Sequence, residues 1–495
     1  GALPGDAAGP TTGACSDWTF NASTCAAHVD CNLLPDCQNI VNTQCGWCLG
    51  GGSGVGARTR AGCPPHATWV SNYTDCPLQY GPSQVHLALG ESPSAVVITW
   101  ATSDASSSVV TLWEGPQQAK FTGGVTTFND TSNSAGMMFV HRVNVTGLAA
   151  DTLYTYSVTS SGRSSSNFTF RMPSDGGTRL LVFGDMGRYG GGQALWKILQ
   201  TAMPDDTPTL PVAKAPPRRP FDAVVHVGDF GYDLQSLGGL NGDNFLSRVE
   251  PLAASYAYMT CPGNHEIMDA TFVQYRNRFS MPRHEVNDGF EMWYSTVVGR
   301  VWLLSYSTET LFVRPQDIAR QTAWLKANLA TANARRASGD IGWVVAFGHR
   351  PMYCSNVDHD DCTTVHSVVR RELEVLFHEG GVDIVIEAHE HSTERLWPVF
   401  NETVLQTNYT NPRGMVHVVT GAAGCNEGDG VCVNPMAGPS GPWSAFRSWL
   451  PGSYGFTTWD FVNDTHVQYA NVEAETGTVT DSVWIVQHHH GPRTV

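Results

Sequence analysis

Two stretches decide how this chain is read: Leu180-Leu181-Val182-Phe183-Gly184-Asp185-Met186-Gly187 and Ala223-Val224-Val225-His226-Val227-Gly228-Asp229-Phe230-Gly231-Tyr232. Each is a short apolar run that stops at a glycine followed by an acid. Runs of this kind, without polar alternation, are buried strands. Three more motifs end comparable runs or nearly so: Gly263-Asn264-His265-Glu266, Gly348-His349 after Trp343–Phe347, and Ala388-His389-Glu390-His391 after Val382–Ile386. Residues 316–334 and 364–378 read as amphipathic helices, so this part of the chain alternates strand and helix and predicts an α/β layered domain. In such sheets functional residues collect at the carboxyl ends of strands. The five motifs, spread over some 200 residues, would then meet at one edge.

Their chemistry is coherent. Two Asp, one Tyr, one Asn and three His are neutral or anionic oxygen and nitrogen donors suited to first-row metals. The glycines allow the backbone to turn tightly beside ions. Taken singly, a Gly-Asp after a strand is usually only a turn, and a lone His-x-His is more often structural. The conjunction points to a metal centre.

Outward from this core the texture changes twice. Residues 81–173 carry short runs rich in β-branched and aromatic residues, such as Val96–Trp100, Val109–Trp113, Val140–Val145 and Leu153–Val158, separated by Gly, Ser, Asn and Asp. That pattern predicts an all-β sandwich of the fibronectin III-like kind. Residues 1–80 are dense in cysteine, with eight of the 13 cysteines between Cys15 and Cys76. Cys45-Gly46-Trp47-Cys48 allows a zinc site, but eight cysteines beside glycosylation sequons favour four disulfides. The count and the CGWC core resemble the PSI (plexin–semaphorin–integrin) module, a PSI-like unit stapled rather than held by core burial. Cys354 with Cys362, and Cys425 with Cys432, are spaced to close small loops, leaving Cys261 over. Residues 204–220 carry six prolines and read as an exposed insertion. Residues 454–486 return to β texture and should add strands to the catalytic sheet. His488–His490 reads as a native tail or a tag remnant rather than a metal-binding tract.

The formal net charge of -16 argues against nucleic acid or anionic lipid as main partners. A phosphate-directed site would need local positive charge, as from metal ions. No run of about 18 apolar residues suggests a membrane span. No signal-peptide pattern is seen at Gly1-Ala2-Leu3-Pro4, which reads as a processed terminus. Eight Asn-x-Ser/Thr sequons begin at Asn21, Asn72, Asn129, Asn144, Asn167, Asn401, Asn408 and Asn463. With the cysteine usage they predict N-linked glycans and a protein that is secreted or held in the lumen of the secretory or lysosomal pathway.

The five motifs in this order resemble the purple acid phosphatases of the metallophosphoesterase superfamily. The resemblance covers roughly residues 81–485, including Pro82–Leu87, Gly348-His349-Arg350-Pro351-Met352-Tyr353-Cys354 and Ser453-Tyr454-Gly455-Phe456. It implies an αββα catalytic domain over 174–495. Asp185, Tyr232 and His391 would hold Fe(III). Asn264, His349 and His389 would hold a divalent ion (Zn, Fe or Mn), with Asp229 bridging. Tyr232 is the discriminating ligand, since a phenolate on Fe(III) gives a visible charge-transfer band. His265 and His359 would stabilise the phosphate and protonate the leaving alkoxide. The implied activity is hydrolysis of phosphate monoesters at acid pH by a metal-bound hydroxide, the cations standing about 3.5–4 Å apart. A phosphodiesterase or phytase-like enzyme is the alternative with the same site. An adhesion or receptor module with a dead catalytic domain is the third reading, and an intact ligand set counts against it. Three departures stand out. Ala388 replaces the family's glycine, Thr393 replaces its usual tyrosine, and Asp358-His359 stands where plant members carry a His pair.

Overall fold

The computed structural model describes residues 46–49, 55–57, 68–70, 81–137, 139–187, 192–202, 220–282, 292–356, 360–424, 441–448 and 454–494. His359, Cys425, Cys432 and the side chains of the eight N-terminal cysteines lie outside the described residues. The chain divides into two compact units, Gly1–Pro77 and Leu78–Val495. In the first, Gly46–Leu49 pairs antiparallel with Val55–Ala57 on one side and Thr68–Val70 on the other.

The second unit opens with a β-rich region. Ser83–Leu89, Val96–Thr102 and Phe139–Val145 pair antiparallel in that order. Gln117–Thr127 joins them through its second half and pairs with Ser108–Glu114 through its first, so one strand serves both halves of the region. Leu153–Ser160 completes the second half. Ile98, Trp100, Val110, Val143, Tyr156 and Phe170 fill the space between them and are fully buried. The region is anchored to the layered domain that begins at Thr178: Leu87 pairs in parallel with Ala257, and the Tyr156 hydroxyl donates to the Ala254 carbonyl at 2.8 Å.

Two sheets build the rest. In the first, Ala257–Cys261, Ala223–Val227 and Thr178–Phe183 run parallel. Gly455–Asn463, His466–Glu473 and Val479–Val486 extend it antiparallel, as the β texture near the C-terminus predicts. In the second, Val301–Ser305, Trp343–Phe347, Ile384–Glu387 and Val416–Thr420 are parallel neighbours, with antiparallel strands at both edges. Alternation along the strands sets the layers. Val345, Phe347, Ile384 and Ile386 join the cluster that holds Leu180, Val182 and Val225 of the first sheet. Val344, Ala346 and Val385 instead meet Leu325, Leu329, Leu373 and Phe377, from helices Ile318–Ala337 and Val368–Gly380. Helices Gly192–Ala202 and Leu240–Ala253 cover the first sheet through Ile198, Leu246 and Val249. The order is helix, sheet, sheet, helix.

Both outer helices begin later than the sequence pattern suggests. Pro315 opens a separate turn, Pro315–Asp317, before the first. Before the second, Ser367 caps the helix by accepting from the Arg370 N–H at 3.1 Å. The C-terminal histidines include one that packs on the domain. His490 packs beside Trp343, with Nδ1 3.0 Å from Asp383 Oδ1 and Nε2 2.6 Å from the Asp464 carbonyl. At His490 a native tail is thus packed into the domain.

Candidate metal centre

Each of the five motifs sits just past the carboxyl end of a parallel strand: Asp185 after Phe183, Asp229 after Val227, Asn264 after Cys261, His349 after Phe347 and His389 after Glu387. The chain bends sharply at these points. Asp185, Asp229, Tyr232 and His389 adopt left-handed backbone, with φ of 58°, 52°, 50° and 67°. A non-glycine residue held there costs about 1–2 kcal/mol, and such strain gathers where surrounding structure over-determines a functional geometry. Gly228, at φ 78°, has a second constraint: a Cβ there would stand 2.5 Å from His349 Nδ1.

The turns bring all seven expected ligands into two adjoining groups. In one, the Tyr232 hydroxyl lies 2.8 Å from His391 Nε2 and 3.4 Å from Asp185 Oδ1, and His391 Nε2 lies 3.6 Å from Asp185 Oδ1. In the other, His349 Nε2 stands 3.0 Å from Asn264 Oδ1, 3.2 Å from His389 Nδ1 and 3.2 Å from Asp229 Oδ2. The His389 backbone N–H donates to Asp185 Oδ2 at 2.9 Å and ties the groups together. His349 Nδ1 lies 2.9 Å from the Val227 carbonyl, which only accepts, so this nitrogen keeps its proton and Nε2 is the one a cation would take in place of a proton.

The electrostatics fit a cation. Burial works to lower the His349 pKa, yet Asp229 and Asp185 outweigh it and push it up to about 10. Burial would raise Asp229, yet His349 holds its carboxyl well below the usual range. The field therefore favours positive charge at a fully buried point, as expected of carboxylates that ligate ions. Four oxygen and three imidazole donors, converging at these distances, suit a pair of first-row cations.

His265 also reaches the centre. Its N–H donates to Asp229 Oδ1 at 3.0 Å, its Nδ1 lies 3.2 Å from Asp233 Oδ1, and its ring packs edge-on against Tyr232. The disulfide expected between Cys354 and Cys362 is present.

Sequence reasoning missed the residues that hold the ligands in place. Glu266 is buried, and its carboxylate accepts from the N–H groups of Asp229 at 2.9 Å, Phe230 at 3.2 Å and Gly263 at 2.9 Å. Its adjacency to Asn264-His265 was the available signal. Asp360 accepts from the far side of His389 and from Arg350, whose Nε bridges both oxygens of Glu309 at 2.9 and 3.1 Å. Nothing in the local sequence marks Asp360 or Glu309.

Comparisons agree with this geometry. Residues 82–172 match the family described as purple acid phosphatase, N-terminal domain. Residues 178–393 match the calcineurin-like phosphoesterases, and 414–482 match the family described as iron/zinc purple acid phosphatase-like protein C. Over 434 residues the chain is 37% identical to acid phosphatase type 7 of Homo sapiens, covering 83% of this chain and 92% of the relative. Purple acid phosphatase 18 of Arabidopsis thaliana is 28% identical over 421 residues, 82% of this chain and 84% of that one. A solved purple acid phosphatase from yellow lupin seeds superposes with a TM-score of 0.70 at 20% identity, covering 86% of this chain and 78% of that one. At that identity the superposition speaks for the fold alone.

Proposed function

This chain belongs to the purple acid phosphatase family, and from that premise we propose that the two groups of side chains at its strand ends are the two halves of a dinuclear phosphatase centre. The protein is an acid phosphatase, a hydrolase of phosphoric esters, whose centre pairs iron with a divalent ion. In our assignment Asp185, Tyr232 and His391 hold the iron, Asn264, His349 and His389 hold the divalent ion, and Asp229 is shared. The observation that carries it is His349 Nε2, which faces Asn264, His389 and Asp229 at 3.0–3.2 Å while its other nitrogen is spent on a carbonyl.

Bound there, two cations would supply Lewis acidity for phosphate oxygens and for an attacking water. The chain's own residues do the rest. Asp233 orients His265, leaving Nε2 4.0 Å from Asp229 Oδ2 at the mouth of the centre. From there a protonated His265 donates to the phosphate and to the departing alkoxide, a contribution of about 10²–10⁴-fold in rate. His359, one residue before Asp360 on the disulfide-closed loop, is proposed to share this work. Glu266 keeps the Asp229 and Gly263 turns at fixed separation.

The expected substrate is a phosphate monoester. Steady-state assays on monoester and diester panels from pH 4 to 8, with metal analysis, test this. A greater kcat/KM for diesters throughout would replace the monoester assignment.

The same reading places the protein outside the cell or in the lumen of the secretory or lysosomal pathway, carrying N-linked glycans. All six sequon asparagines among the described residues, Asn129, Asn144, Asn167, Asn401, Asn408 and Asn463, are exposed, as an acceptor must be. Among the described residues no helix is long and apolar enough to cross a membrane. Glycosidase treatment should lower the mass, and an unchanged mass would remove this support. We also propose the division into a PSI-like unit over 1–80, a fibronectin III-like sandwich over 81–173 and a catalytic domain over 174–495.

A further inference from the structure

We infer that Asp360 is the positioning residue for the divalent-ion site, setting which nitrogen of His389 faces the metal. The inference rests on the assignment of His389 proposed above. His389 turns Nδ1 toward His349 Nε2, at 3.2 Å, and Nε2 toward the Asp360 carboxylate. A carboxylate accepts, so the proton sits on Nε2 and the lone pair is left on Nδ1, aimed at the cluster of Asp229, His349 and Asn264.

Asp360 is itself fixed from three directions. Arg350 Nη1 donates to its Oδ1 at 3.3 Å, and the same guanidinium is locked on Glu309, which is fully buried. The Asp361 N–H donates to Oδ1 at 2.6 Å, making Asp360 the cap of the turn Asp361–Thr363. Two residues on, Cys362 is bonded to Cys354 at the base of the loop. Arg350 Nη1 lies 3.1 Å from His389 Nε2. Both atoms bear hydrogens in this tautomer, and both serve the one carboxylate.

This arrangement separates two properties. Iron ligation by Asp185, Tyr232 and His391 does not depend on Asp360, whereas affinity for the divalent ion does. Loss of a carboxylate behind a metal-bound histidine costs about 10–100-fold in metal affinity. The test uses full-length enzyme stripped of its divalent ion and titrated with zinc against a chelating dye, with the visible iron band followed in parallel. Asp360→Ala should bind zinc about 10–100-fold more weakly while keeping the band. Asp360→Asn, which retains an acceptor oxygen and the side-chain volume, should fall between it and the wild type. His389→Ala should lose the zinc site outright. Zinc affinity of Asp360→Ala within about two-fold of wild type, with His389→Ala defective, overturns the role of Asp360. Should Asp360→Ala fail to fold, unchanged affinity in Asp360→Asn does the same. Wild-type affinity in His389→Ala would instead overturn the ligand assignment, and with it this inference.

Discussion

Glu266 and Asp229 hold each other from opposite directions: Glu266 accepts the Asp229 backbone N–H at 2.9 Å, and the Asp229 side chain accepts the N–H of His265, the residue before Glu266, at 3.0 Å. The two turns at the end of the first sheet are thus latched together. Glu266→Gln keeps one acceptor oxygen but puts an NH₂ among backbone donors. It should lower metal retention and kcat together by about 10–100-fold, as expected when a residue supporting metal ligands is lost. Metal content and rate both at wild-type level would show that the latch is dispensable.

Tyr232→Phe removes the hydroxyl that lies 2.8 Å from His391 and 3.4 Å from Asp185. The ring still packs against His265, so the fold should persist. On the ligand assignment proposed above, in which the Tyr232 phenolate on Fe(III) is the source of the visible band, the absorption of the purified enzyme should disappear. A variant as coloured as the wild type would place the iron elsewhere.

Much of this site was legible because burial and function coincide at strand ends. The runs before Asp185, Asp229, His349 and His389 are apolar since both faces of their strands are covered, and each run stops where the sheet stops. The supporting shell was not legible. Glu266 meets Asp229 across 37 residues and Asp360 meets His389 across 29, and neither pairing leaves a period in the chain. The junction at Leu87 and Ala257 was hidden for a related reason: the sequence pattern of an edge strand does not say which sheet it will extend. The packing of His490 against Trp343 and Asp383 was likewise beyond reach, since polar tail residues carry no burial signal.

Arg278 is buried and binds Asp243 Oδ1 at 2.6 Å, Asn133 Oδ1 at 2.9 Å and the Gly239 carbonyl at 2.8 Å. It joins the β-rich region to the segment just past Tyr232. Arg278→Met would leave the Asp243 carboxylate buried without its cation, at a cost of about 3–5 kcal/mol. Urea unfolding should show that loss, while the protein that remains folded keeps near-normal KM for an aryl phosphate. A loss below about 1 kcal/mol would mean that Asp243 finds water or another donor.

His226 makes stability depend on pH. It sits behind the centre in a cage of Phe183, Phe230, Phe245 and Tyr258. Its Nδ1 meets the Tyr258 hydroxyl at 2.5 Å, and among the described residues Nε2 has no hydrogen-bond partner. A second proton would be buried among aromatic rings, so burial lowers its pKa to about 3 from an ordinary 6.5. The unfolded chain therefore binds this proton more readily than the folded one, and stability rises with pH in this window. The contribution is complete above pH 6.5 and is lost as pH falls toward 3, by up to about 1.4 kcal/mol per unit. Urea midpoints measured between pH 6.5 and 4 should fall accordingly. His226→Phe keeps the cage apolar and removes the titrating group. It should be less stable at pH 7, where the Tyr258 hydroxyl loses its partner, yet show a shallower decline with acid. A slope equal to that of the wild type would assign the acid sensitivity to other groups.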